Sequence, residues 1–185
     1  ATAAETSIDL MLVNPSSSSW YRGLNLSQAL TLDILATDIV DSLWSRPVYF
    51  AMTVPNRYYM GLDKYLRSTG MAYEVSPIIE NGSAPGVNTD KMYRNVMERF
   101  RWGGIAESKD RIYLDETVRR MVTTTRSTLL DLAYALYTEG RKAEIAAVHP
   151  DYAGVADSTE FSDFARERYL KALDIMNLMV EKLPV

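Results

Sequence analysis

Four groups of residues in this sequence have the side-chain types needed for chemistry. His149 is the only histidine, and it precedes Pro150 with no second ligand-type residue at metal-binding spacing. A lone imidazole can serve as a base, but this setting reads as a solvated loop, and no Ser-His-Asp arrangement forms around it. Asp33, Asp38 and Asp41 fall within one apolar-periodic stretch. Asp38 and Asp41 are three apart, so on a helix they share a face and could hold a cation or exchange protons. The commoner use of such residues is the wet side of an amphipathic helix. The third group is Asn56, Arg57, Tyr58 and Tyr59 in the turn PNRYYMG, which follows the most apolar strand candidate. Guanidinium and phenol together can hold a sugar or an anion by hydrogen bonding and stacking. Ligands of open parallel sheets favour the carboxyl ends of strands. These four are the candidate ligand-binding residues; the plainer reading is a polar turn whose tyrosines pack on a neighbouring helix. Last, Trp20-Tyr21 adjoins the run Pro15–Ser19 and reads as an anchor for a serine-rich surface loop, or as an exposed aromatic contact.

Several classes of chemistry find no support. The chain has 185 residues, no cysteine and a formal charge of −4. The absence of thiols removes disulfides, thiolate nucleophiles and sulfur metal sites. Basic residues are scattered, with Arg119-Arg120 and Arg141-Lys142 the only adjacent pairs, so no basic face suited to nucleic acid is expected. No glycine-rich phosphate loop is present. No catalytic residue, metal ligand or cofactor is therefore expected.

The elements that would position these groups follow from periodicity. Apolar residues make up 47% of the chain and charged residues 24%, ordinary globular values. Ile8–Val13 reads as a strand stopped by Asn14-Pro15. Ser27 sits where a helix N-cap would, and Leu32, Leu35, Ala36, Ile39, Val40 and Leu43 then recur at helical spacing. Val48–Val54 is almost wholly apolar and reads as a strand buried on both faces. Tyr59–Arg67 suggests a short helix with Met60, Leu62, Tyr65 and Leu66 inward and Gly70 as its left-handed cap. Met71–Val75 is the next strand, and 80–88 is a loop. A helix capped by Asn88 or Thr89 reaches about Phe100, with Met92, Val96, Met97 and Phe100 on one side. Trp102-Gly103-Gly104 breaks it.

Beyond that point the character is helical. Asp115 caps a helix with Val118, Met121, Val122, Leu129, Leu132, Ala133 and Leu136 inward, and Gly140 ends it. Arg141–Val148 is a second helix. Asp157 and Glu160 form a capping box for a third, with Tyr169, Leu173, Met176, Met179, Val180 and Leu183 along its face. The stretch LAYALYTEGRKAEIAA resembles half of a tetratricopeptide hairpin. The expected class is α/β: a small parallel (or mixed) sheet flanked by helices, then an α-helical, tetratricopeptide-like tail. The expected domains are 1–112, an α/β subdomain, and 113–185, a helical subdomain packed on it. No apolar run approaches the roughly 18–20 residues that span a bilayer. The opening ATAAETSIDL lacks the basic start of a signal peptide, so a chain beginning at Ala1 reads as a mature product or a segment of something longer.

A series of short motifs carries a resemblance. Leu32-Asp33-Ile34-Leu35-Ala36-Thr37 precedes Trp44-Ser45-Arg46-Pro47-Val48-Tyr49-Phe50-Ala51. Tyr59-Met60-Gly61-Leu62, Gly70-Met71-Ala72-Tyr73, Met92-Tyr93, Phe100-Arg101-Trp102-Gly103 and Tyr113-Leu114-Asp115-Glu116 follow in order. The series resembles the C-terminal soluble region of a family of Gram-negative membrane proteins of unknown function. The polytopic part of those proteins is similar to GT-C-type glycosyltransferases, including protein O-mannosyltransferases. The resemblance covers about Leu32 to Gly140. It implies a periplasmic accessory or scaffold domain on the inner membrane whose catalytic apparatus lies in the membrane part. The implied partners are that membrane-embedded part and a protein or glycan acceptor. No catalytic residue carries over. Pro55, in a turn where a small residue is expected, and the interruption from Ala143 to Ala165 depart from the pattern. A free-standing α/β enzyme or sugar-binding domain, and a helical interaction module, are the alternatives.

Overall fold

A computed structural model describes residues 25–42, 46–77, 86–104, 113–148 and 158–183. The strand expected at Ile8–Val13, the serine run, Trp20, Tyr21, His149, Pro150 and Asp157 lie outside them. The fold comprises a small, open, mixed four-stranded sheet and a helical C-terminal part. By contact the chain divides into two units, Ala1–Asn88 and Thr89–Val185.

The first unit opens with α1, Leu26–Ser42. Its cap is Asn25, two residues before the expected Ser27. The Asn25 side-chain oxygen accepts from the Gln28 amide at 2.8 Å, and the Gln28 side chain accepts from the Asn25 amide at 3.0 Å. This reciprocal pair satisfies two donors at once, which a serine cap alone cannot do. Ser27 instead donates its hydroxyl to Asn25. Leu35 is buried in the core of this unit and Leu32 packs against it, whereas Ala36 is exposed. Asp38 is buried rather than on a wet face. Asp33 is exposed, and the side chain of Asp41 lies outside the described residues.

The sheet comprises β1 (Tyr49–Ala51), β2 (Leu66–Ser68), β3 (Ala72–Val75) and β4 (Gly86–Val87), in the order β1-β3-β2-β4. β3 pairs antiparallel with both β1 and β2, and β2 pairs parallel with β4. The mixed form of the expectation therefore holds, and the parallel one with crossovers does not. The reason is length: Gly70, at φ 141°, and its neighbours turn β2 straight into β3, with no room for a crossover helix. Gly70 thus serves a hairpin and not a helix cap. The run from Val48 to Val54 is also not a central strand. Among the described residues β1 is an edge strand of three residues with only Phe50 buried, the alternation of a sheet covered on one side. In place of the helix expected over Tyr59–Arg67 there is one 3-10 turn, Leu62–Tyr65, that runs straight into β2, and a second 3-10 turn, Asn56–Tyr58, precedes it. Met60 (φ 53°) and Gly61 (φ 82°) are both left-handed and break any continuous helix. The inward residues are nonetheless as expected, since Met60, Leu62, Tyr65 and Leu66 are all buried. Gly86–Val87, expected as loop, completes the sheet.

The second unit begins with α2, Thr89–Arg94, which widens into a π-helical turn over Asn95–Arg99. The Phe100 amide closes that turn on the Asn95 carbonyl at 2.9 Å. Met92 and Val96 are buried as expected, but Met97 is exposed. Gly103, at φ 58°, breaks the chain direction. Helix α3 runs from Glu116 to Val148, capped by the Asp115 carboxylate on the Val118 amide at 2.7 Å. α4 spans Ser158–Lys182. The two pack along each other as a helical hairpin, with Val122, Leu129, Leu132, Leu136 and Ala143 buried on α3, and Ala165, Ile175 and Met179 buried on α4 and Leu183 just past its end. Each such buried Leu or Ile contributes roughly 1.5–3 kcal/mol.

Gly140 does not end α3. A Cβ there would sit 2.9 Å from Tyr169 Cε1 and 3.1 Å from the Ala165 carbonyl oxygen, so this glycine admits α4 at close range. Within a helix already held by its neighbours, that approach outweighs the propensity cost of about 1 kcal/mol. On α4 the expected stripe holds in part: Met179 and Leu183 are buried, Tyr169 is half-buried, and Leu173, Met176 and Val180 are exposed. Met121 on α3 is exposed likewise. Among the described residues no helix is long and apolar enough to cross a membrane.

Candidate functional site

The turn after β1 separates the four candidate residues instead of converging them. Tyr59 faces inward. Its hydroxyl donates to the Val54 carbonyl at 2.9 Å, and its ring meets Phe50 and Tyr73 edge-on at 5.5 and 6.3 Å. Burial pushes the Tyr59 phenol up. Asn56 and Arg57 are exposed, with the Arg57 guanidinium 5.0 Å from the centroid of the half-buried Tyr58 ring. The split follows the 3-10 turn itself: its three residues have no buried member, and Tyr59 at its end carries its ring onto Phe50 and Tyr73. What remains at the surface is Asn56 and one arginine stacked on one tyrosine.

The richest polar cluster lies in the second unit, where little in the local sequence pattern announces it. Arg168 is buried on the packed face of α4. Its guanidinium grips Asp90 of α2 at 2.6 and 3.3 Å, and its Nε lies 3.3 Å from Glu139 of α3. The guanidinium also lies 4.6 Å from the centroid of the Phe164 ring. The planar fork of arginine suits such a shared contact, and it stays charged throughout. Thr89 donates its hydroxyl to Glu139 at 2.9 Å. Lys171 reaches Asp90 at 3.7 Å and Glu167 at 2.6 Å, and sits over the Tyr93 ring. Tyr93 in turn donates to Asp174 at 2.8 Å. The Arg168 hydrogen bond holds the Asp90 carboxyl below its ordinary value. Burial, aided by Asp174, pushes the Tyr93 phenol up to about 12. These contacts tie α2 to the hairpin, with the buried Arg168 Nε held by charge near Glu139 and not by a hydrogen bond. Among the described residues no group of three or more His, Cys, Asp or Glu is placed to hold a metal ion.

Two apolar surfaces flank the hairpin. One is an open groove of about 550 Å³ lined by Glu139, Lys142, Ala143, Ala146, Phe161 and Phe164. The other is a pair of uncovered rows. On α3, Leu130, Tyr134 and Tyr137 follow at steps of four and three, all exposed. On α4, the half-buried Tyr169 leads to the exposed Leu173, Met176 and Val180 at steps of four, three and four. Such steps keep each row on one helical face. The Tyr137 and Tyr169 rings meet at 5.7 Å, which sets the two rows side by side. The exposed members of the stripe expected on α4 thus form this second, uncovered face.

Comparison with known families gives one finding. The family model described as TMEM260-associated domain 2 matches residues 8–93. The match takes in the sheet and ends within α2, so the α3–α4 hairpin lies beyond it. No curated protein and no solved structure matches the chain.

Proposed function

We propose that this chain is an extracytoplasmic accessory domain of a longer, glycosyltransferase-like membrane protein, and that it holds a partner and does not catalyse. In this reading the sheet unit is scaffold and the hairpin is the working surface. The ordered motifs between Leu32 and Gly140 support the wider setting, and the family-model match over 8–93 supports reading the sheet unit as a recurring module. The observation that carries a holding role is the pair of uncovered rows on α3 and α4. Tyr134 is 71% and Val180 82% exposed, on helices that each bury another apolar face. Exposed apolar surface in a contiguous strip marks interaction sites more often than isolated apolar residues do.

The partner is a protein or glycan acceptor, or the membrane-embedded part of the same polypeptide. A glycan array and a pull-down of solubilised envelope proteins test this. Retention of a protein or glycan is expected; no retention of either at millimolar concentration removes the holding role. A topology reporter fused after Val185 in the full-length protein tests the location, and a cytoplasmic signal would overturn it.

A further inference from the structure

Three buried residues of α4 are each followed directly by an aromatic or apolar residue that the packing leaves half-buried or exposed. Arg168 precedes Tyr169, Ile175 precedes Met176 and Met179 precedes Val180. Successive residues of a helix stand about 100° apart, so α4 carries one stripe twice, offset by that angle. The exposed copy, Tyr169, Leu173, Met176 and Val180, contains no charge. The packed copy contains Arg168. By apolar content alone, the exposed copy is the better match for Leu129, Leu132 and Leu136 of α3, yet the fold buries the other.

The partners of Arg168 account for that choice. A buried guanidinium is tolerated only while it is paired. Asp90 of α2 takes it at 2.6 and 3.3 Å, and Glu139 of α3 lies 3.3 Å from its Nε. Lys171 and Asp174 meet the same side of the bundle, at Asp90 and Tyr93. A roll of α4 that put Tyr169 in the place of Arg168 would carry all three side chains away from α2. It would also set Arg166 in the place of Ala165, beside Gly140, where the backbones now approach closely. Selection of one packing among several is a documented use of buried charge.

We infer that the Arg168–Asp90–Glu139 contact selects which of two faces α4 presents to α3, and that without both carboxylates α4 rolls by about 100° to bury Tyr169, Leu173, Met176 and Val180. The device acts within the chain and needs no partner, so it stands apart from the holding role proposed above. A contact that merely glued the hairpin would give a different result: removing the carboxylates or the arginine would loosen α4 alike, with no change of face.

The chain contains no cysteine, so one introduced thiol reports its own burial. Ile175→Cys and Met176→Cys place it on one copy or the other, and Met179→Cys and Val180→Cys repeat the comparison a turn later. In the full chain, labelling by a thiol reagent should be at least about 10-fold faster for the exposed member of each pair, since a buried thiol reacts only through opening. Adding Asp90→Ala with Glu139→Ala should invert the order in both pairs. Adding Arg168→Met instead should preserve the parental order, because the packed copy is then wholly apolar. Circular dichroism of each variant follows helix content. The parental order persisting without the two carboxylates overturns the inference, since Arg168 would then find water with no roll. Equal labelling of the two members, with helix kept or lost, also overturns it, because the contact would then hold the hairpin together without choosing a face. So does inversion in Arg168→Met, which has no buried charge left to expel. Retention in the pull-down bears on the holding role alone.

Discussion

The turn at Asn56–Tyr59 and the cluster around Arg168 contain the same side chains put to opposite use. Each sets an arginine over an aromatic ring and ties a tyrosine hydroxyl to an oxygen. In the turn the partners are neighbours in sequence: Arg57 stacks on Tyr58, and Tyr59 bonds Val54 five residues back. In the cluster Arg168 reaches Asp90, 78 residues away, and Tyr93 reaches Asp174, 81 residues away. A local contact shapes a loop. A distant one fixes how elements pack, and it can order nothing until they meet. The apolar core governs the stability of the first region, and a charge network adds to that of the second.

The sharpest way to break that contrast is at Tyr59. Tyr59→Ala removes a buried ring and should cost about 3–5 kcal/mol, whereas Arg57→Ala should stay within about 0.5 kcal/mol. Equal losses in urea melts would show that the turn depends on its surface pair after all. Arg168→Met keeps the packing and removes the charge. It should cost about 1–3 kcal/mol, less than a fully buried pair because the carboxylates of Asp90 and Glu139 remain partly exposed. Added salt should narrow the gap between Arg168→Met and the parent. Gly140→Ala follows at about 1–2 kcal/mol, since overpacking against the Ala165 carbonyl and the pinned Tyr169 ring exceeds the gain in helix propensity. An unchanged or raised melting temperature would mean that α4 can back away.

The smallest effect is in pH. Asp90 has a folded pKa below its ordinary 3.8, so its contribution is present above that value and is lost as pH falls through the depressed one. Asp90→Asn should therefore flatten the acid limb of the stability profile and leave its slope near neutrality unchanged. An unaltered acid limb would remove Asp90 from the cause.

Much of this is legible in sequence where neighbours decide. The Asp115 cap, the inward set of Met60, Leu62, Tyr65 and Leu66, and the packed stripe of α3 all depend on spacing within a few residues. What escapes is set by distant partners. Val48–Val54 looks like an interior strand, yet its place in the sheet depends on which strand β3 chooses. Gly140 reads as a stop until Tyr169 is beside it. The stripe of α4 misleads because this helix has two apolar faces, and periodicity cannot say which one meets α3. The one hint of the cluster is Arg168 itself, at the step of three from Ala165 and seven before Ile175, where a core residue belongs.

The wide turn at Asn95–Arg99 has a consequence for chain length. Its i-to-i+5 hydrogen bond houses one residue more than an α-turn would. Deleting any single residue there lets the ordinary ladder close with little net rotation, because four residues of α-helix sweep nearly the same angle as the five of the wide turn. The Phe100–Trp102 ring pair, now 5.9 Å apart, would then leave α2 on nearly the same bearing. A one-residue gap at this spot is therefore absorbed, whereas the same gap within Thr89–Arg94 would turn the chain by about 100°.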